Sequence, residues 1–126
     1  MADDLQRKIQ SELEVYKSLQ KEYSKAVRTR QQLDGQLNEN QIVKDELNIL
    51  RDDSAVYKSV GPILIKTDLV EAKQNVAKRM DYINKEIKRI DDQILSVEKK
   101  QDVHREILQK LQHQFQQAQV KAAMKA

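Results

Sequence analysis

A seven-residue repeat of apolar side chains runs through the C-terminal half of the chain and constrains its fold more than any other feature. Eleven of the fourteen a and d positions between Met80 and Lys125 are apolar, and the register never breaks. A strict repeat of this length predicts one long helix with a narrow apolar seam, supercoiled in a left-handed sense around a partner helix. With Met80 at a, the a positions are Met80, Ile87, Ile94, Gln101, Leu108, Phe115 and Ala122, and the d positions are Ile83, Ile90, Val97, His104, Leu111, Ala118 and Lys125.

The N-terminal half carries a weaker repeat of matching length. Nine of its fourteen a and d positions are apolar, beginning at Leu5 (d) and Ile9 (a). Towards its end the stripe drifts, and Val43, Leu47 and Leu50 come into line. We interpret the drift as a stutter with a widened apolar face, to which Ile42 and Ile49 add. The a positions are Ile9, Tyr16, Tyr23, Arg30, Leu37, Lys44 and Arg51, and the d positions are Leu5, Glu12, Leu19, Ala26, Leu33, Asn40 and Leu47.

Between the two halves lies a short segment with β-strand character. β-branched and aromatic residues flank Gly61-Pro62, which is a hairpin pattern. Glycine at the first loop position and proline at the second suit a type II′ turn by φ. If Val60 lies opposite Ile63, one face holds Val56, Val60, Ile63 and Ile65 with Lys58, and the other holds Tyr57 and Leu64 with Ser59 and Lys66.

These elements predict a mainly α fold in a single domain, residues 1–126. Residues 1–52 form one coiled-coil helix, 53–67 the β-hairpin and 68–126 the second coiled-coil helix. Asp68, or alternatively Thr67, is the expected N-cap of the second helix. Arms of equal length joined by a short connector favour a long antiparallel two-helix coiled coil, with Ile9 near Phe115 and both chain ends at one tip.

Composition excludes several classes of protein. Charged residues make up 34% of the chain and aromatic residues 4%, too few to build a broad core. The absence of cysteine excludes disulfides and thiol chemistry and fits a cytoplasmic protein. The first ten residues lack the apolar run of a signal peptide, no stretch resembles a membrane span, and a net charge of +3 gives no reason to expect nucleic acid. We expect no enzyme activity, cofactor or metal.

The predicted hairpin requires partners. An isolated two-stranded hairpin is marginal in water, and this one has apolar side chains on both faces. Its edges also expose unpaired backbone groups that template the addition of strands. We therefore expect an obligate oligomer that pairs hairpins, best in a closed intersubunit β-barrel. The side chains expected to assemble it are Val56, Tyr57, Val60, Ile63, Leu64 and Ile65.

The segment from Val56 to Lys66 resembles the hairpin motif of β-class prefoldin subunits. Residues 39–47, 71–73, 76–83 and 86–89 are similar to the subunit-six branch of that family. The resemblance covers the whole chain and is most specific at about residues 39–90. A single hairpin implies the β class, because α-class subunits have two.

The resemblance implies a role as a chaperone subunit that works without ATP. It implies a hetero-hexamer of two α-class and four β-class subunits, in which the hairpins form a β-barrel body and the coiled coils hang from it. Such complexes capture unfolded actin and tubulin and deliver them to the cytosolic chaperonin. The alternative is a structural scaffold or tether that oligomerises through its hairpin.

A client-binding surface is expected at the tip, where helix ends fray and apolar residues become accessible. These residues have an alternative role in closing the coiled coil, which is expected to be the main role of Ile9, Leu111 and Phe115. His104, at a d position, is expected to specify register and not to bind metal. The proposed client-binding residues are Leu5, Ile9, Leu13, Leu111, Phe115, Val120 and Met124.

Overall fold

Two long helices and one β-hairpin make up the fold. The computed structural model describes residues 2–125. Helix α1 (Ala2–Ile49) is followed by strands β1 (Val56–Val60) and β2 (Ile63–Thr67) and by helix α2 (Leu69–Lys125). The prediction of a mainly α chain with two long helices and one hairpin is confirmed. Residues 1 and 126, which end the two predicted arms, lie outside the described residues.

The helix boundaries have local causes. Asp3 and Asp4 lie in the first turn of α1, where carboxylates interact favourably with the helix dipole. At the start of α2 the carbonyl of Asp68 accepts a 2.9 Å hydrogen bond from the backbone N–H of Ala72, so Asp68 takes the N-cap place. The Thr67 hydroxyl instead donates to the carbonyl of Ile65, at 3.3 Å. Asp68 is therefore the residue that opens α2.

The predicted heptads describe the buried face of both helices. Every a and d position from Leu5 to Asn40, and again Leu47, is buried or half-buried, as is every one from Met80 to Ala118. Val97, at a d position, is the most buried of these at 1% exposure. The buried apolar residues of the described chain are Leu19, Ala26, Leu47, Leu69, Ala72, Val76, Ile83, Ile90, Val97 and Leu108. All of them but Ala72 are a or d residues of the predicted repeats or of the d series continued back to Leu69.

The chain divides into two compact units, which we name by their contents. The hairpin unit is Thr29–Asp91, and the terminal unit combines the stretch ending at Arg28 with the stretch beginning at Asp92. In the hairpin unit, Leu47 of α1 packs with Leu69, Ala72 and Val76 of α2, and Val56 of β1 packs against this cluster. In the terminal unit, Ile9 and Phe115 line a common groove. Within each unit the two helices therefore run antiparallel.

The structure differs from the sequence prediction near the end of α1. The helix ends at Ile49, three residues before the boundary predicted at residue 52. Leu47 keeps its d position and is buried, whereas Leu50 lies outside the helix and is 39% exposed. The heptad register therefore describes α1 without a stutter, because the helix ends before Leu50, where the shifted apolar stripe would continue. At the other end of the seam, Ala122 and Lys125 are exposed.

The hairpin has the register that was assumed when its two faces were assigned from the sequence. Val60 pairs with Ile63, and the antiparallel pairing continues to Val56 and Thr67. Gly61 has a φ of +57°, which is the left-handed region that glycine adopts without a steric penalty. The type II′ turn requires a positive φ at this first loop position and a negative φ at the second, which Pro62 supplies.

Candidate functional site

The hairpin exposes apolar side chains on both of its faces. The pairing places Val56, Lys58 and Val60 of β1 beside Thr67, Ile65 and Ile63 of β2 on one face. Tyr57 and Ser59 lie beside Lys66 and Leu64 on the other. Ile63 on the first face is 61% exposed, and Leu64 on the second is 68% exposed. A single protomer thus leaves both faces of its sheet open to a partner.

The edges of the hairpin are open as well. Within residues 2–125 the sheet has two strands, which pair with each other. Val60 and Ile63 flank the two-residue turn and form a hydrogen-bonded pair, so the bonding alternates from there. The alternation points the N–H and C=O groups of Tyr57, Ser59, Leu64 and Lys66 outwards. Outward-pointing groups on both edges can each accept another strand.

Among the six predicted assembly residues, Val56 differs from the rest. It is half-buried against the Leu47 cluster and so anchors the hairpin to the helices. The other five, Tyr57, Val60, Ile63, Leu64 and Ile65, are exposed. On the helices of the hairpin unit, Ile42, Ile49 and Val70 are also exposed. The hairpin unit therefore exposes apolar side chains outside the hairpin as well.

The predicted client-binding residues all lie in the terminal unit and fall into two groups. Val120 and Met124 are 53% and 82% exposed and are free to contact another molecule. The rest, Leu5, Ile9, Leu13, Leu111 and Phe115, are half-buried. Leu13, which belongs to neither the a nor the d series, is half-buried too. Ile9 and Phe115 nevertheless line an open groove together with Asp3, Gln6, Arg7 and Gln10.

In the terminal unit, polar side chains of α1 and α2 contact each other in specific pairs. Nδ1 of His104 lies 2.7 Å from Oε2 of Glu12, and both side chains are largely buried. Arg105 donates to the Tyr16 hydroxyl at 3.0 Å and lies 5.8 Å from the centroid of its ring. The hydrogen bond to Tyr16, more than the one to Asp102, raises the pKa of Arg105 above its usual value. These contacts fix how α1 and α2 face each other in this unit.

The hairpin unit has a comparable link. The Arg30 guanidinium, at a seam position, donates to Asp91 at 2.7 Å and also pairs with Asp34. The hydrogen bond to Asp91, followed by that to Asp34, raises the pKa of Arg30. Since the pair is substantially exposed, we assign it at most about 1 kcal/mol of stability and a larger role in specifying register.

The described part of the chain shows neither a metal site nor a membrane-spanning helix. Across residues 2–125, no cluster of three or more His, Cys, Asp or Glu side chains is placed to hold a metal ion. No helix within the same range has the length and apolar character needed to cross a bilayer.

Sequence reasoning gave no role to several exposed apolar side chains, of which Tyr82 is one. It occupies a c position of the predicted heptad, is 65% exposed, and borders an open groove with Lys78 and Arg79. Its exposure was predictable, because in a heptad only the a and d positions face the partner helix.

Two antiparallel helices that carry one open, two-faced β-hairpin define a coiled-coil assembly subunit. The family model described as "Prefoldin subunit" matches residues 10–115 of this chain. The match covers most of the chain, and the protein therefore belongs to the prefoldin subunit family, whose members are chaperone subunits.

Individual relatives agree with this assignment. The chain is 46% identical to prefoldin subunit 6 of Mus musculus over 123 residues, covering 98% of this chain and 97% of the relative. It is 49% identical to a probable prefoldin subunit 6 of Drosophila melanogaster over 120 residues, covering 95% and 94%. The crystal structure of the prefoldin β subunit from Thermococcus strain KS-1 superimposes with a TM-score of 0.69 at 25% identity, covering 88% of this chain and 91% of that one. The resemblance to β-class subunits, and within them to subunit six, is confirmed.

Proposed function

We propose that this chain is a β-class subunit of a hetero-hexameric prefoldin of two α-class and four β-class subunits, held in place by its hairpin. The observation that carries this proposal is the exposure of apolar side chains on both faces of one two-stranded sheet. Pairing with hairpins of other subunits in a barrel would cover both faces and satisfy the outward backbone groups of both edges.

The second part of the proposal concerns clients. The assembled complex holds unfolded actin, tubulin and similar proteins by apolar contact, without ATP, and delivers them to the chaperonin in the cytoplasm. Burying one side chain such as Met124 contributes roughly 1.5–3 kcal/mol, so one subunit binds weakly. Several subunits that hold one client at once gain through effective concentration. Catalysis has no place in this mechanism.

The exposure of Val120 and Met124 favours this function over that of a passive tether. A tether needs apolar residues only where its helices meet, and these two side chains face away from the helix pair. Their location in the terminal unit, with the half-buried Ile9 and Phe115, supports client capture there.

Co-expression with α- and β-class partner subunits, followed by native mass spectrometry, tests the assembly proposal. We expect the chain to enter a hexamer. Replacing Ile63 and Leu64 by Thr keeps strand propensity but removes apolar area on both faces, and should lower incorporation about 100-fold or more. The matched control replaces exposed Leu95 and Val103 of the terminal unit by Gln. Equal incorporation of the hairpin variant and this control would contradict the proposal.

A further inference from the structure

A groove on the hairpin unit, the Tyr82 groove, combines apolar surface with charge of one sign. Its floor is the buried side chain of Ile83, and one wall is the exposed ring of Tyr82. Lys78 and Arg79 line it too, and no carboxylate of the described residues does. Neither cation forms an ion pair with an acid of residues 2–125. An occupant must therefore bring both apolar area and carboxylates.

A second groove of the same unit continues this character towards the hairpin. Arg79 lines it as well, with Lys58 as its other cation and again no acid among the described residues. Its apolar lining includes Val43 and Tyr57, which are 41% and 57% exposed. The basic and apolar surface is thus longer than a single pocket and suits a helix more than a small molecule.

Helix α1 of the same chain carries a surface of the opposite kind, which we call the acidic ridge. Glu39, Ile42, Glu46 and Ile49 occupy alternating c and f positions of the predicted heptad and therefore share one side of the helix. All four are exposed. Neither glutamate forms an ion pair with another described residue. Carboxylates alternating with branched aliphatic side chains are what the Tyr82 groove lacks.

The ridge and the groove belong to the same face of the hairpin unit. Gln36 of α1 lines the Tyr82 groove, and Val43 lines the second groove. Glu39 lies three residues after Gln36, and Glu46 three residues after Val43, so each glutamate borders a groove-lining residue on the helix surface. Two copies of the chain packed face to face can therefore each offer a ridge to the other's groove. Such a reciprocal contact closes a twofold pair.

We infer that the Tyr82 groove receives the acidic ridge of a second copy of this chain, and that the contact is reciprocal. Complementary charge supports this occupant, because Glu39 and Glu46 have no partner in their own chain and neither do Lys78 and Arg79. The pair also covers Ile42, which is 59% exposed in the single chain. It forms between free copies and goes beyond the proposed hexamer, on which it does not depend.

Sedimentation velocity of the isolated full chain tests the pairing. The background I63T/L64T removes association through the apolar hairpin, and in it we expect a dimer at micromolar concentration. Adding K78E/R79E, or adding E39K/E46K, should weaken the dimer about tenfold or more, because like charges then face each other in both contacts. The controls K99E/K100E and E14K/E22K reverse the same numbers of charges at exposed positions of the terminal unit. Both controls should dimerise like their parent.

A mixture of the two charge variants makes the test specific to a reciprocal pair. In equal amounts, the K78E/R79E and E39K/E46K chains place glutamates opposite lysines in one contact and keep the original charges in the other. We expect the mixture to regain the dimer affinity of the parent, although each variant alone does not. Mixing cannot repair a folding defect, so recovery separates charge matching from misfolding. A monomeric parent, variants that dimerise like the parent, or a mixture without recovery would overturn the inference.

Photo-crosslinking locates the contact. A p-benzoyl-phenylalanine replaces Tyr82 in one preparation of the full chain, which is mixed with a heavy-isotope copy so that capture between copies is recognised by mass. We expect capture at residues 39–49 of the heavy copy. The same probe at Asp81, an exposed neighbour outside the groove lining, should not capture that segment. Capture of another segment of the heavy copy, of the probe's own chain alone, or of nothing would refute the pair. Entry into the hexamer is measured separately by co-expression, so failure of one proposal leaves the other standing.

Discussion

Glu12 and His104, ninety-two residues apart in sequence, meet within the seam of the terminal unit at 2.7 Å between Oε2 and Nδ1. Both occupy d positions that an ordinary heptad would fill with apolar side chains. A polar pair at such positions lowers stability relative to leucine but allows only one alignment of the two helices. The contact therefore specifies the antiparallel register.

We predict that Glu12 and His104 are energetically coupled. Replacing either one by Leu leaves the other largely buried without its partner and should lower the melting temperature. The double substitution E12L/H104L should recover that loss or exceed wild-type stability, because two leucines pack in the seam. A double-mutant cycle from thermal unfolding, followed by helix circular dichroism, should give a coupling of about 1 kcal/mol. Additive effects of the two single changes would show that the contact has no energetic role.

Gly35 offers a stabilising substitution. It lies inside α1, and a Cβ built there meets no atom within 4 Å. Gly35→Ala should raise the free energy of unfolding by about 1 kcal/mol through helix propensity and reduced freedom of the unfolded chain. Thermal denaturation checks it, and a lower melting temperature would mean that the glycine has a packing role that the structure does not show.

Gly61 should respond in the opposite way to the same substitution. A Cβ at Gly61 also meets nothing within 4 Å, so crowding does not enter, but its φ of +57° strains any L side chain. Gly61→Ala should destabilise the hairpin by roughly 1–2 kcal/mol and weaken assembly. Native mass spectrometry of the co-expressed complex provides the measurement. Gly61→Asn, which tolerates the left-handed region better, should fall between alanine and wild type.

Client binding should depend on the predicted client-binding residues of the terminal unit. Replacing Leu5, Ile9 and Phe115 together by Ser should weaken the suppression of actin aggregation and leave the hexamer intact. Because those residues are half-buried, a second variant with Val120 and Met124 changed to Ser removes only exposed area. We expect both variants to capture less client than a control in which Leu95 and Val103 become Gln. If both variants suppress actin aggregation as well as the control does, the client-binding surface does not include these residues.

The sequence predicted the fold well because heptads and a Gly-Pro turn are local signals. Periodicity and turn chemistry predicted two long antiparallel arms, with Ile9 near Phe115, and a β-hairpin between them. The predicted end of α1, residue 52, lies three residues beyond the observed end at Ile49. The apolar stripe shifts out of the heptad register near Leu50, and both a stutter and the end of a helix produce such a shift. Sequence reasoning gave no role to Tyr82, which is exposed at a c position of the second helix. A surface formed by side chains of both helices depends on how the helices pack. The sequence pattern of one helix does not contain that information.

The most direct test of the central claim, that the hairpin joins other subunits through its edges, is amide hydrogen exchange of the hairpin before and after assembly. The outward amides of Tyr57, Ser59, Leu64 and Lys66 should exchange quickly in the isolated chain and slow strongly in the complex. The N–H groups of Val60 and Ile63 each donate to the carbonyl of the other residue within the hairpin. Their exchange rates should change much less on assembly, and they serve as the internal control. Unchanged exchange at the four outward amides in a fully assembled complex would contradict the claim.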